Sequence, residues 1–302
     1  MFWLWIVIIS QFFNAGAMFL DKFLLSKRFP RPAVLTFWTA VWNLLGLVFI
    51  FWNFDFLPGP KILFCSILSG IFFTLALQFF YMALKRGEAT HISPLVGAVV
   101  PVGSFVISYF WLGELLNFNQ TIAVVCLVFG ALVVSFETTE SRKGWHIGML
   151  WAVIAGLFFA TSYTIMRGVF LETNFSTGFV WARAGAFLAA LPFLCSRPVR
   201  NSLFKAQKNQ SKRQTLSGLV ILAINKSLAA LYFLGMTFAL TMASATLVNS
   251  LAGLQYAILF ILIFFISKIR PAVLREHFTR SEIIQEIIAI AFIMLGLGLL
   301  VM

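Results

Sequence analysis

Ten separate apolar stretches fill the chain almost from end to end, near residues 2–20, 33–52, 62–84, 91–112, 119–136, 147–166, 176–195, 216–240, 245–267 and 283–302. The hydrocarbon core of a bilayer is about 30 Å thick, so a spanning helix needs roughly 20 mainly apolar residues, and each stretch comes close to that length. The runs are continuous, whereas the strands of a membrane barrel alternate polar and apolar residues over about ten positions. The loops are short, and even the longest, residues 196–215, is too small and polar to enclose a core. The expected fold is therefore an all-α integral membrane protein with ten transmembrane helices. The first stretch has neither a basic leader nor a small-residue cleavage site, and it reads as span 1 rather than as a signal peptide.

A net charge of +12 in a chain with only 11% charged residues would suit nucleic acid, but the basic side chains lie in loops between spans. Their expected partner is anionic lipid. Eighteen Lys and Arg fall in the loops after odd-numbered spans, against only Lys61 and Arg167 after even-numbered ones. Cytoplasmic loops carry the Lys/Arg excess, so both termini are expected on the non-cytoplasmic side. Cys65, Cys126 and Cys195 all sit in apolar segments, where a thiol behaves as a small hydrophobe. His91, His146 and His277 are far apart, without CxxC or HxxxH spacing, so neither a metal nor a cofactor is expected.

Comparing the two halves exposes a duplication. Ala83 to Gly97 reads ALKRGEATHISPLVG and Ala239 to Gly253 reads ALTMASATLVNSLAG. At one constant offset Ala83/Ala239, Leu84/Leu240, Ala89/Ala245, Thr90/Thr246, Leu95/Leu251 and Gly97/Gly253 are identical, and Phe12-Phe13 is echoed by Phe158-Phe159. Two five-span units follow, residues 1–143 and 144–302. Five is odd, so the second unit enters the bilayer from the opposite face. Inverted repeats are typical of carriers that hold substrate near the midplane between the halves and expose it to each side in turn.

The run GEATHISPLVGAVVPV, then WLGELL with Leu112-Gly113-Glu114 after span 4, then a fifth span ending FGALVV, resembles the EamA-like family of the drug/metabolite transporter superfamily. The resemblance extends over the whole chain in span count and duplication. It implies two inverted five-helix repeats around a central cavity lined mainly by spans 1, 3, 4, 6, 8 and 9. It also implies carriage of a small metabolite, often export, and the expected location is a bacterial inner membrane. Two departures stand out. Ser267-Lys268-Ile269-Arg270 occupies the place of a second Leu-Gly-Glu, and the family's usual cytoplasmic termini oppose the charge count.

Charges inside spans are costly and mark a pathway or a buried pair. Arg183 lies mid-span 7 and Lys226 mid-span 8, while Asp21, Glu88 and Glu172 lie near span ends. Either the cations pair with these acids or snorkel, or they grip an anionic or zwitterionic substrate; Arg does so through two parallel bonds and Lys as a point charge. His91 is a substitute proton carrier or a structural residue. Ser, Thr or Asn in the turns before spans 4 and 9 (Thr90 or Ser93; Ser244, Thr246 or Asn249) can cap those helices, whose N-termini would also favour an anion. Pro94 and Pro101 mark a hinge or close packing in span 4. Gln78 and Tyr81 share one face of span 3, and Asn249 and Tyr256 share one face of span 9. With Gln255, Asn14 and Tyr163 these four are the expected cavity lining. Glu114, in the short loop beside span 5, is expected to play a structural role, such as bonding the start of that helix.

The leading reading is a secondary carrier of a small polar metabolite, an amino acid or other carboxylate. A flippase for a lipid-linked headgroup needs the same scaffold with a lateral opening. A structural membrane protein would not bury Arg183 and Lys226. An enzyme is not expected, because neither GxSxG nor a His/Asp cluster is present.

Overall fold

The computed structural model describes residues 2–27, 31–87, 89–135, 147–204, 212–269 and 280–301, and every regular element among them is a helix. In chain order these are α1 (Phe2–Lys27), α2 (Pro32–Asn43) with a 3₁₀ extension (Leu44–Phe51), α3 (Pro60–Arg86), α4 (Ala89–Leu112), α5 (Phe118–Ser135) and α6 (Ile147–Glu172). They continue with α7 (Phe175–Ala190), whose 3₁₀ extension is Leu191–Cys195, then α8 (Arg197–Phe204), α9 (Lys212–Ala239), α10 (Ala245–Ser250), α11 (Gly253–Ile269) and α12 (Arg280–Val301). Seven described segments are long and apolar enough to cross a membrane, and shorter apolar helices cover Phe118–Val133, Ala245–Leu259 and Ile287–Gly296. This is an integral membrane protein. Glu88 lies outside the described residues.

Helices α1, α3, α4, α6, α9 and α10–α11 form the centre of the bundle, α2 and α7 pack at one edge, and α5 pairs with α12 at the other. One end carries the basic side chains: Lys22 on α1 donates to the carbonyls of Leu84 and Gly87 at the end of α3. At the opposite end Lys61 pairs with Glu172. Exposed Phe51, Trp52, Phe56 and Leu57 lie there too, suited to the membrane–water interface.

Lipid offers no hydrophobic gain for helix association, so close backbone approach and interhelical hydrogen bonds hold the bundle. A Cβ on Gly70 of α3 would overlap the Ala182 carbonyl of α7, and one on Gly185 of α7 would overlap the Ile67 carbonyl. The same face carries the bond from Thr74 Oγ1 to Ala186 O at 2.9 Å. Toward α6, Ser69 and Ser162 each donate a hydroxyl to the other's backbone carbonyl, both at 2.9 Å.

The start of span 5 differs from the expectation. Asn117 and Gln120 cap it reciprocally, Gln120 N to Asn117 Oδ1 at 2.8 Å and Asn117 N to Gln120 Oε1 at 3.0 Å. Glu114 instead accepts from Arg167 Nε at 2.9 Å, and Arg167 Nη1 reaches Leu240 O at 2.9 Å. Gly113, at φ 64°, makes the left-handed turn that ends α4 and delivers Glu114 there. The Leu-Gly-Glu segment thus ties the end of α4 to α6 and α9. Ser244 caps α10 by accepting from Leu247 N at 3.3 Å, and span 9 breaks at Leu251 and Ala252 into α10 and α11.

Gly70→Val should lower the unfolding free energy in detergent by about 1–3 kcal/mol, the usual cost of overpacking. Gly298→Ala, with nothing within 4 Å of the added methyl, should leave the thermal midpoint unchanged or slightly raised.

Candidate functional site: a central polar and aromatic cavity

A cavity of about 110 Å³ lies between the central helices. It is lined from α1 by Asn14, Ala17, Met18 and Asp21, from α2 by Thr39, Trp42 and Asn43, and from α3 by Phe73, Leu77, Phe80 and Tyr81. Val96, Gly97 and Val100 of α4 and Phe159 and Tyr163 of α6 add to the wall. So do Lys226, Ala229, Ala230, Tyr232, Phe233 and Met236 of α9, and Asn249, Ala252, Gln255 and Tyr256 of span 9. Small residues on α1 and α9 leave the space. On α4 Gly97 does so for a different reason, since a Cβ there would overlap the Tyr256 hydroxyl.

At the basic end the floor is a polar cluster drawn from four helices. Lys226 Nζ lies 3.2 Å from Asp21 Oδ1 and donates to the Tyr81 hydroxyl at 3.2 Å. That hydroxyl is 3.4 Å from both Asp21 oxygens and 3.3 Å from Thr39 Oγ1. All four side chains are buried. The ammonium and carboxylate cancel, so the cluster brings two charges into the cavity wall without net charge. Neighbouring Asn225 donates to Ala17 O at 2.7 Å, joining α9 to α1. Midway along the cavity Asn14 bonds Gln255, and Asn249 donates to Ser104 Oγ at 3.0 Å.

The opposite end is aromatic. Phe73 and Phe233 meet edge to face with centroids 4.6 Å apart, and Phe159 stacks on Tyr163 at 6.0 Å. Behind this plug sits Arg183, only 3% exposed. Its guanidinium carbon lies 3.9 Å from the Phe233 centroid, 5.0 Å from Phe179 and 5.2 Å from Phe73. Among the described residues no Asp or Glu pairs with it, and its Nε and Nη1 have no hydrogen-bond partner. A desolvated cation over an aromatic face recovers about 2 kcal/mol per ring, while taking an ion out of water costs several kcal/mol. Gly46 gives the stem room, since a Cβ there would lie 2.9 Å from Arg183 Cγ. One turn earlier, Asn43 lines the cavity with its Nδ2 donor unpaired.

Of the residues expected from sequence, Asn14, Asp21, Tyr81, Tyr163, Lys226, Asn249, Gln255 and Tyr256 line one cavity. Arg183 stands behind its aromatic wall instead of in it. Gln78 faces away and accepts from Thr36 Oγ1 at 2.9 Å, because the cavity side of α3 is taken by Phe73, Leu77 and Tyr81. His91 is buried near the start of α4, and Pro94 and Pro101 lie within an unbroken α4; none of the three lines the cavity. Glu172 serves Lys61, not Arg183. Sequence reasoning missed Phe73, Phe159 and Phe233, since nothing in their spacing separates cavity rings from packing rings. It also missed that span 2 contributes lining.

Removing one member of the buried pair, by Asp21→Asn or Lys226→Met, should cost about 3–5 kcal/mol, because the other is left buried and uncompensated. The double variant should recover most of that loss in a thermal double-mutant cycle.

Residues 1–136 match the model of the EamA-like transporter family, part of the drug/metabolite transporter superfamily. A solved crystal structure superposes with a TM-score of 0.64 at 17% sequence identity, covering 99% of this chain and 95% of the other. That likeness concerns the fold. No curated protein matches the chain.

Proposed function

We propose, from the match of residues 1–136 to the EamA-like transporter family, that the chain is a secondary carrier that exports a small anionic or zwitterionic metabolite, an amino acid or other carboxylate, by alternating access. The observation that carries this reading is Arg183, a buried cation without an acidic partner among the described residues, one ring away from the cavity. Arg183 Nε and Nη1 and the Nδ2 of cavity-lining Asn43 are unpaired donors. A carboxylate supplies acceptors for donors of this kind. Lys226 offers a second positive pole at the basic end, already balanced by Asp21. The small volume suits a metabolite better than a lipid-linked headgroup.

In this reading the chain is ten spans in two inverted five-helix units, 1–143 and 144–302. The shared α-to-3₁₀ ending of spans 2 and 7 supports it, as does the duplicated sequence at spans 4 and 9. The Phe73–Phe233 plug moves aside to expose Arg183 when the opposite end opens. The basic end, with the amphipathic α8 carrying Arg197 and Arg200, lies against anionic lipid on the cytoplasmic side, and both termini lie on the other face.

The test is uptake and efflux of a labelled panel of amino acids and carboxylates in proteoliposomes. A charge-assisted hydrogen bond contributes about 1.5–3 kcal/mol, so Arg183→Gln should slow anion flux by roughly tenfold or more, with Arg183→Lys in between. Wild-type rates for every solute in Arg183→Gln would end the anion-site reading. Membrane-impermeant labelling of cysteines placed at the two termini should occur from the non-cytoplasmic side alone.

A further inference from the structure

A second cavity of about 570 Å³, larger than the central one, lies between the α1–α9 pair and the 3₁₀ extension of α2 with the start of α7. Its walls are Ile6, Phe49, Trp52, Phe175, Leu234 and Phe238, and no charged residue lines it. Ile6, Phe49, Leu234 and Phe238 lie in the terminal turns of segments apolar and long enough to span the membrane, so this groove opens where the hydrocarbon layer meets the interface. Phe238 of its wall is exposed, as are Ile9 and Phe51 nearby in sequence. The groove's uncharged polar residues, Asn53, Asn174 and Ser176, gather at the loop end.

Its origin is visible in the packing. α3 and α7 are drawn together by Gly70 and Gly185, whereas α2 meets α9 only sparsely, and α2 turns 3₁₀ at Leu44. The tighter 3₁₀ winding changes which side chains face α9 and leaves the last turns apart. Along its apolar walls water finds no hydrogen-bond partner, and left empty the space forfeits the dispersion contacts of the atoms around it. Beside a bilayer the apolar matter at hand is a lipid tail.

We propose that this groove is a binding site for one acyl chain of a membrane lipid from the leaflet at the non-basic end, with the polar loop end beside its headgroup region. The lining has no cation, so the site takes a neutral or zwitterionic lipid without preference for an anionic one. The tail lies against Phe175, which stacks on Phe179 at 5.1 Å, and Phe179 in turn backs Arg183. Occupancy therefore supports the ring ladder that holds the aromatic plug. The proposal does not depend on what the central cavity carries.

The experiment uses the full chain in phosphatidylcholine vesicles containing a phosphatidylcholine with a photoactivatable diazirine in its acyl chain, with adducts mapped by peptide mass spectrometry. Adducts should concentrate on residues 49–53, 174–176 and 234–238. Leu234→Trp, which fills the groove, should abolish them there while sparing those at the exposed Val220 and Ile224 of the same helix. Equal labelling of 234–238 and 220–224, or groove adducts that survive in a Leu234→Trp protein of normal thermal stability, would overturn the site. A Leu234→Cys variant decides independently of that folding question. Protection from an impermeant maleimide in vesicles that is lost on delipidation supports the tail, and ready labelling in vesicles shows a water-filled groove and overturns it.

Discussion

Inside hydrocarbon no water is at hand to satisfy a polar group, so each donor, acceptor and charge must be matched within the protein or be costly. Most of this bundle obeys that constraint visibly. Ser69 and Ser162 exchange hydroxyls with each other's backbone, Asn14 meets Gln255, and Asn225 reaches the Ala17 carbonyl. The buried charges Asp21 and Lys226 cancel, with Tyr81 bridging them. Against that background Arg183 stands apart. Three phenylalanine faces stabilise its charge without accepting its hydrogen bonds, and it lies where the cavity ends.

The two ends of the cavity are closed by different forces. Asp21, Lys226, Tyr81 and Thr39 close the basic end with directional, charge-assisted bonds, and separating them costs the full desolvation of a buried pair. The opposite end is closed by Phe73, Phe159, Tyr163 and Phe233, whose contacts are non-directional and survive a change of rotamer. Outside the plug, the exposed Lys61–Glu172 pair contributes little, which leaves Arg167, with its bonds to Glu114 and Leu240, as the strongest polar tie at that end. For a carrier of the kind proposed, the aromatic end is the less costly one to open.

Hydropathy made the helical membrane architecture legible, because span length is set by bilayer thickness and seven described segments satisfy it independently. Charge inside a span was equally readable, and it drew attention to Lys226, which stands in the cavity wall. Facing was only half readable. Gln78 and Tyr81 do share a helix face, yet that face is broad: Tyr81 points inward while Gln78 turns to Thr36. The partner of Glu114, Arg167, was not legible, because it is distant in sequence. The aromatic wall was invisible in principle, since among 36 phenylalanines a ring against lipid and a ring against a cavity carry the same local signature.

In the duplication proposed, the places where the two halves differ are informative. At the offset that aligns Ala83 with Ala239, Gly70 aligns with Lys226. Gly70 lets α3 press its backbone onto α7. Lys226 is a long cation that turns to Asp21 in the cavity wall. If the halves are copies, that one register position closes a helix pair in the first and furnishes the cavity with its ammonium in the second.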